Sequence, residues 1–121
     1  MSEKQFRFED LEVWQRAAKI TSSLFQIADQ LETAKKYRFA EQLRAAVLSI
    51  TNNIAEGSGS ASEADFPNFL NMARRSLFEV ANMLLIFQRE GYLDNAVTNP
   101  LLHELEQQSR MLLAFRRTLK R

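Results

Sequence analysis

The sequence predicts an all-α protein, a single antiparallel up-down-up-down four-helix bundle. Three observations carry that reading. Apolar residues recur at steps of three and four along most of the chain, the spacing of a helix with one buried face. No segment alternates apolar and polar residues as a half-buried strand does. Three glycines and two prolines among 121 residues supply few turns, hence few and long elements. At this length one core can bury most of the unfolded surface, so residues 1–121 read as one domain.

The first helix is expected over about residues 9–32. Glu9 or Asp10 caps its free amides, and Leu11, Trp14, Ala18, Thr21, Phe25 and Ala28 form its core stripe. The second, about 37–56, carries Phe39, Leu43, Ala46, Val47, Ile50 and Ile54 on one face, with Gly57 as a left-handed C-cap. Gly57-Ser58-Gly59-Ser60-Ala61 is the clearest loop. Ser62 and Asp65 resemble a capping box that opens the third helix, about 62–90, and Pro67 is tolerable close to that start. Its stripe is Phe66, Leu70, Ala73, Leu77, Val80 and Leu84, and Gly91 ends it. Asn99-Pro100 reads as the start of the fourth helix, about 99–119, because proline at the first helical position gives up an amide that has no partner. Leu101, Leu105, Gln108, Leu112, Phe115 and Leu119 follow as its inner face. Short connections favour antiparallel neighbours.

Composition excludes several classes. With no cysteine there are no disulfides, thiolate metal sites or cysteine nucleophiles, and packing alone holds the fold. Charged side chains interrupt the first twenty residues, so they do not form the apolar core of a signal peptide, and the apolar runs Met83 to Phe87 and Met111 to Phe115 are far shorter than the ~20 residues that span a bilayer. A cytoplasmic location without membrane partners is the expectation.

Two features exceed what a plain bundle requires. Phe78 and Leu85 on the third helix, and Leu102 and Leu113 on the fourth, point well away from the core stripes at ~100° per residue. Val13, Ile20 and Ile27 add a seven-residue repeat on the first helix. A wide core could take these in; otherwise they form a surface for self-association. Charge is also uneven. Net charge is +1, yet five of the 16 Lys and Arg residues (Arg110, Arg116, Arg117, Lys120, Arg121) lie from Arg110 onward, where none of the 15 acids falls. Lys35, Lys36 and Arg38 form a second basic cluster. These cations either complement helix C-termini or meet an acidic partner.

No catalytic constellation stands out. The one histidine, His103, lacks the second ligand a metal pair requires and reads as a surface residue. Gly57-Ser58-Gly59 lacks the lysine and strand of a phosphate-binding loop. Asn52, Asn53 and Glu56 offer oxygen ligands, but there is no Glu-x-x-His for a diiron site, and hydrogen bonding to a neighbouring helix or loop is the simpler role for the asparagines. Neither a metal nor a cofactor is expected.

At this point particular residues resemble a known family. Phe8-x-x-Leu11-x-Val13-Trp14, the block Gln42-Leu43-Arg44-Ala45-Ala46 running into Ser49-Ile50-x-x-Asn53-Ile54-Ala55-Glu56-Gly57, Phe69-Leu70-x-x-Ala73-x-x-Ser76-Leu77-x-Glu79, and Gly91-Tyr92-Leu93 look like the bacterial four-helix proteins encoded within intervening sequences of large-subunit ribosomal RNA genes. The serine-to-glycine block is the most specific part. Where a second arginine after Arg44 is common, this chain has Ala45. The family is similar to the accessory variability proteins of diversity-generating retroelements. That resemblance implies a homopentameric barrel that binds nucleic acid, RNA before DNA, beside a reverse transcriptase, and it transfers no reaction.

The combined expectation is a non-enzymatic, oligomeric nucleic-acid-binding accessory or scaffold protein. Arg110, Arg116, Arg117, Lys120 and Arg121 are its first contacts, and Lys35, Lys36, Arg38, Arg44, Arg74 and Arg75 its second. A protein-interaction module without nucleic-acid binding is the alternative.

Overall fold

The computed structural model describes residues 4–119. Four helices, α1 (Glu12–Thr33), α2 (Tyr37–Ser58), α3 (Asp65–Arg89) and α4 (Asn95–Thr118), follow a short 3-10 helix at Arg7–Asp10, and no strand occurs among the described residues. Leu24, Ile27, Leu43, Ile54, Leu70, Leu84 and Leu105 belong to one contiguous apolar core. Ser49 meets Ser76 while Gly57 meets Phe66 and Phe69, so α2 and α3 pass in opposite directions. In the same way Gln88 meets Thr98 while Pro67 meets Arg116 across α3 and α4. The seam between α1 and α4 is the thinnest of the four.

Local signals explain most of the helix ends. α1 and α3 both close with the Schellman arrangement, in which two amides beyond the helix reach back to its last turn. Lys36 N donates to Leu31 O and Lys35 N to Glu32 O; Tyr92 N donates to Phe87 O and Gly91 N to Gln88 O. The pivot must take positive φ. Gly91 does so at 77°, as its glycine implies, but at the equivalent place in α1 it is Lys35, at 65°, that bears the strain of a left-handed conformation.

Four boundary expectations are corrected. α1 starts at Glu12, not Glu9, because Glu9 is used to close the 3-10 turn: its carboxylate accepts from the amides of Gln5 and Phe6. α2 does not stop at Gly57 but runs through Ser58, and its C-cap Gly59 keeps an ordinary right-handed φ of −93°. The Ser62–Asp65 capping box does not form; Ser60 Oγ donates to the Asp65 carboxylate instead, at 2.8 Å, and Ala64 is the N-cap of α3. Finally, α4 begins at Asn95, where the Asp94 carboxylate accepts from Ala96 N at 2.9 Å, so that Pro100 lies inside the helix. Proline there removes one helical hydrogen bond. Starting at Asn99 would leave outside the helix Thr98, which is fully buried and receives a hydrogen bond from Gln88.

The α3 stripe is buried as expected; of the α4 face Leu105, Gln108 and Leu112 are buried, Leu101, Phe115 and Leu119 flank the core, and Thr98 and Ser109 are buried beside them. On α1 the face is rotated. Val13, Ala17, Ile20, Leu24, Ile27 and Leu31 are buried together with Ala28 of the expected stripe, whereas Trp14 and Phe25 only flank the core. The sequence offers two adjacent apolar stripes on this helix. The structure turns the aliphatic one inward, between α2 and α4, while Trp14 packs on Phe8 with ring centroids 5.1 Å apart. Phe39, expected inside, stays exposed at the end of the bundle.

Candidate nucleic-acid interface

Four of the eleven basic residues singled out from sequence donate to partners within the chain. Arg44 donates to Asp29 at 2.7 Å and Glu32 at 2.8 Å, a fork that joins α2 to α1, and these hydrogen bonds raise its pKa above the ordinary arginine value. Arg74 Nε donates to the Ser109 carbonyl at 3.0 Å, and its guanidinium lies 4.9 Å from the centre of the Phe78 ring. Arg116 Nε donates to the Pro67 carbonyl at 3.0 Å, and Arg110 pairs with Glu106 one turn back on its own helix at 2.7 Å. Arg117 and Arg75 are exposed. Lys120 and Arg121, both assigned to the first cluster, lie outside the described residues.

The second cluster is differently placed. Lys35 and Arg38 are exposed at the turn from α1 to α2, with no side-chain partner among the described residues, and Lys36 places its ammonium 3.9 Å from the centre of the Tyr92 ring. Arg89, which sequence reasoning did not single out, is exposed on the last turn of α3 at the same end of the bundle. The cations free to meet phosphate therefore concentrate at the Lys35–Arg38 end, not along the described part of the C-terminal segment.

The proposed self-association residues divide in two. Val13, Ile20 and Ile27 are 7%, 6% and 1% exposed, so they belong to the core of the single chain and offer no surface. Phe78 and Leu85 are exposed, and Leu102 and Leu113 half-buried. At ~100° per residue Phe78 and Leu85 fall on the same side of α3 as Arg74, which reaches α4, and Leu102 and Leu113 fall on the side of α4 that meets α3. All four thus border one groove between α3 and α4.

The serine-to-glycine block is accounted for by packing. Ile50 and Ile54 are core residues. Asn53 Nδ2 donates to the Ser49 carbonyl at 2.8 Å and lies 3.1 Å from Ser49 Oγ, which is 2.7 Å from Ser76 Oγ, a polar thread between α2 and α3. At Gly57 a Cβ would stand 2.6 Å from Phe69 Cβ and 2.8 Å from Phe66 Cδ1, so the residue is glycine for close approach of two helices. Ala55 is partly buried; Glu56 is exposed and without a partner among the described residues, the one member of the block that packing does not explain.

One polar cluster had no sequence signal. Arg16 of α1 clasps Glu104 of α4 through both carboxylate oxygens, at 2.6 and 3.0 Å, and also donates to Gln107. Gln108, 3% exposed, donates to Glu104 at 2.7 Å and to the Arg16 carbonyl at 3.1 Å. The guanidinium hydrogen bonds, helped by Gln108, hold the Glu104 carboxyl below the usual carboxylate range even though burial opposes this. Residues 88 positions apart leave no local trace of such a pair. Clefts of about 440 Å³ beside Ile20 and about 380 Å³ beside Val13 and Phe115 open along this seam.

His103 is exposed, its ring Nε2 3.3 Å from the Gln107 amide. Among the described residues no group of three or more His, Cys, Asp or Glu side chains could hold a metal ion, and no described helix is long and apolar enough to cross a membrane.

Residues 9–114 match the family model described as 23S rRNA-intervening sequence protein. No curated protein matches the chain. The match covers all four helices but the last turn of α4, and it includes the serine-to-glycine block whose packing is described above. The chain belongs to the 23S rRNA-intervening sequence protein family.

Proposed function

We propose that the protein is a non-enzymatic, oligomeric accessory protein that binds RNA, in preference to DNA, through phosphate contacts in the cytoplasm. The observation that carries this reading is the set of exposed, internally unpaired cations at the Lys35–Arg38 end of the bundle. The family's description ties it to ribosomal RNA intervening sequences, which supports an RNA-associated role. The groove bordered by Phe78, Leu85, Leu102 and Leu113 supports self-association, since exposed apolar surface usually marks a partner site. By likeness to the accessory variability proteins the assembly is a pentamer, and a reverse transcriptase is the candidate protein partner. Repeating a modest cationic patch in every copy of a ring multiplies the counterions released on binding, so a weak site becomes a strong one.

Light scattering of the protein with and without a structured RNA, at low and then moderate salt, tests both halves. The reading expects an oligomer that takes up RNA and releases it as salt rises. A double substitution Phe78→Glu and Leu85→Glu is expected to reduce the particle to a monomer. Reversing Lys35 and Arg38 to glutamate is expected to weaken binding more than reversing Arg110, which already has a partner in Glu106. A monomer indifferent to RNA overturns the proposal. An oligomer indifferent to RNA favours a protein-docking module built on the exposed apolar groove.

A further inference from the structure

Three aromatic rings meet at the end of the bundle where α1 passes into α2 and α3 into α4. Phe39, on the first turn of α2, packs on Phe87, on the last turn of α3, with centroids 5.4 Å apart, and Tyr92 lies 6.2 Å from each. Only Phe87 is buried; Phe39 and Tyr92 remain 39% and 38% exposed. The two Schellman turns bring these rings into line, and they set the cations Lys35, Lys36 and Arg38 at the same end.

Two of the nearby carboxylates are tied down: Glu32 by Arg44, and Asp94 by the amide of Ala96. Glu41 and Glu90 are exposed beside them, fewer than the cations, to which Arg89 adds another. Rings interleaved with cations suit an anionic chain that carries flat groups. The contact of Lys36 with Tyr92 is an internal stand-in for such a ligand: the ammonium holds the place over the ring that a base would take, and its flexible stem can carry it to a neighbouring phosphate.

We infer that this end of the bundle is a stacking platform for unpaired bases of single-stranded RNA, with Phe39 and Tyr92 receiving bases and Lys35, Lys36 and Arg38 holding the flanking phosphates. The inference rests on the RNA-binding reading and specifies its ligand as single-stranded. Duplex RNA keeps its bases stacked inside the helix and has none to offer these rings.

The test compares a labelled oligouridylate with a blunt RNA duplex of equal charge, by fluorescence anisotropy on the full chain. It uses Tyr92→Leu alone and the pair Phe39→Leu with Tyr92→Leu, and circular dichroism melts verify the fold. Tyr92 is exposed enough that the single variant keeps the test usable if the pair unfolds. Losing base stacking is expected to weaken oligouridylate binding by about tenfold in the double variant, and by less in the single one, with duplex affinity and the salt slope unchanged. Unchanged binding of both RNAs overturns the platform while leaving RNA binding intact. Equal losses on both overturn it too, because the rings would then be holding the cations in place instead of meeting bases. A wild-type protein that binds neither RNA removes the RNA-binding reading along with the platform.

Discussion

The seam between α2 and α3 and the seam between α1 and α4 are built on different physics. The first is drawn tight by Gly57, which lets two backbones approach over Phe66 and Phe69, and by the short polar thread of Ser49, Asn53 and Ser76. The second is bridged by long polar side chains, Arg16, Glu104, Gln107 and Gln108, with clefts open alongside. A close apolar seam draws its stability from dispersion and burial, which do not depend on the ionisation of any side chain. A seam closed by a part-exposed ion pair depends on ionisation and salt. The bundle should therefore respond to volume changes on one side and to charge and pH on the other.

The largest effect is expected at Gly57. Gly57→Ala gains about 1 kcal/mol of helix propensity, yet its methyl would meet Phe69 Cβ, an atom fixed to its own backbone, so the net change is a loss of about 2 kcal/mol. Urea denaturation measures it, and an unchanged or raised midpoint would break the claim that this seam is limited by volume. The same substitution at Gly59, whose Cβ would meet nothing closer than 3.5 Å, serves as the control and should be near neutral.

Next is the polar seam. Arg16→Met should cost about 1 kcal/mol at neutral pH, since it removes the fork while leaving Met111 and the new methionine to pack together. The pH dependence has a definite sign. The carboxyl of Glu104 titrates lower in the folded chain than in the unfolded one, so the stability it contributes is present above the usual carboxylate range and is lost as pH falls through its depressed folded value. The gap between wild type and Arg16→Met should accordingly close on acidification, and parallel urea titrations at neutral and strongly acidic pH would show it. A gap that persists in acid would mean Arg16 acts through packing alone.

The smallest effect is a gain. Lys35→Gly relieves a left-handed pivot that Gly91 already occupies without strain in the matching turn, and should stabilise by about 0.5–1 kcal/mol. A calorimetric melting temperature that does not rise would show that the strain is absorbed locally. Because the same change deletes a free cation, it should also flatten the salt dependence of RNA binding, which separates a lysine kept for its charge from one kept for its conformation.

How much of this was legible varies from residue to residue. The α3 stripe from Phe66 to Leu84 reads directly, because its apolar residues keep an unbroken step of three and four that Phe78 and Leu85 fall outside. α1 presents two adjacent stripes, and periodicity cannot say which of them faces the bisector of its two neighbours; hence Val13, Ile20 and Ile27 read as surface and proved to be core. Gly57 was legible as a special position but not for the right reason. A glycine near a helix end suggests a cap, whereas here the need comes from Phe69, twelve residues onward on another helix. The basic residues were all visible, but their availability was not. Arg44, Arg74 and Arg116 are taken up by partners that only the packed chain brings near.

What the sequence determined alone is everything that depends on neighbours three and four positions apart: the all-α class, the number of helices, the Gly91 stop and the inner faces of α3 and α4. Those features follow from backbone geometry and the spacing of apolar residues, both of which are written in near neighbours along the chain. The tertiary structure decided the rotation of α1, the pairing of Arg16 with Glu104, the close approach at Gly57, and the gathering of Phe39, Phe87 and Tyr92 beside Lys36 at one end. Each of these joins residues from different helices or turns, and the energy that selects them exists only once the helices have packed.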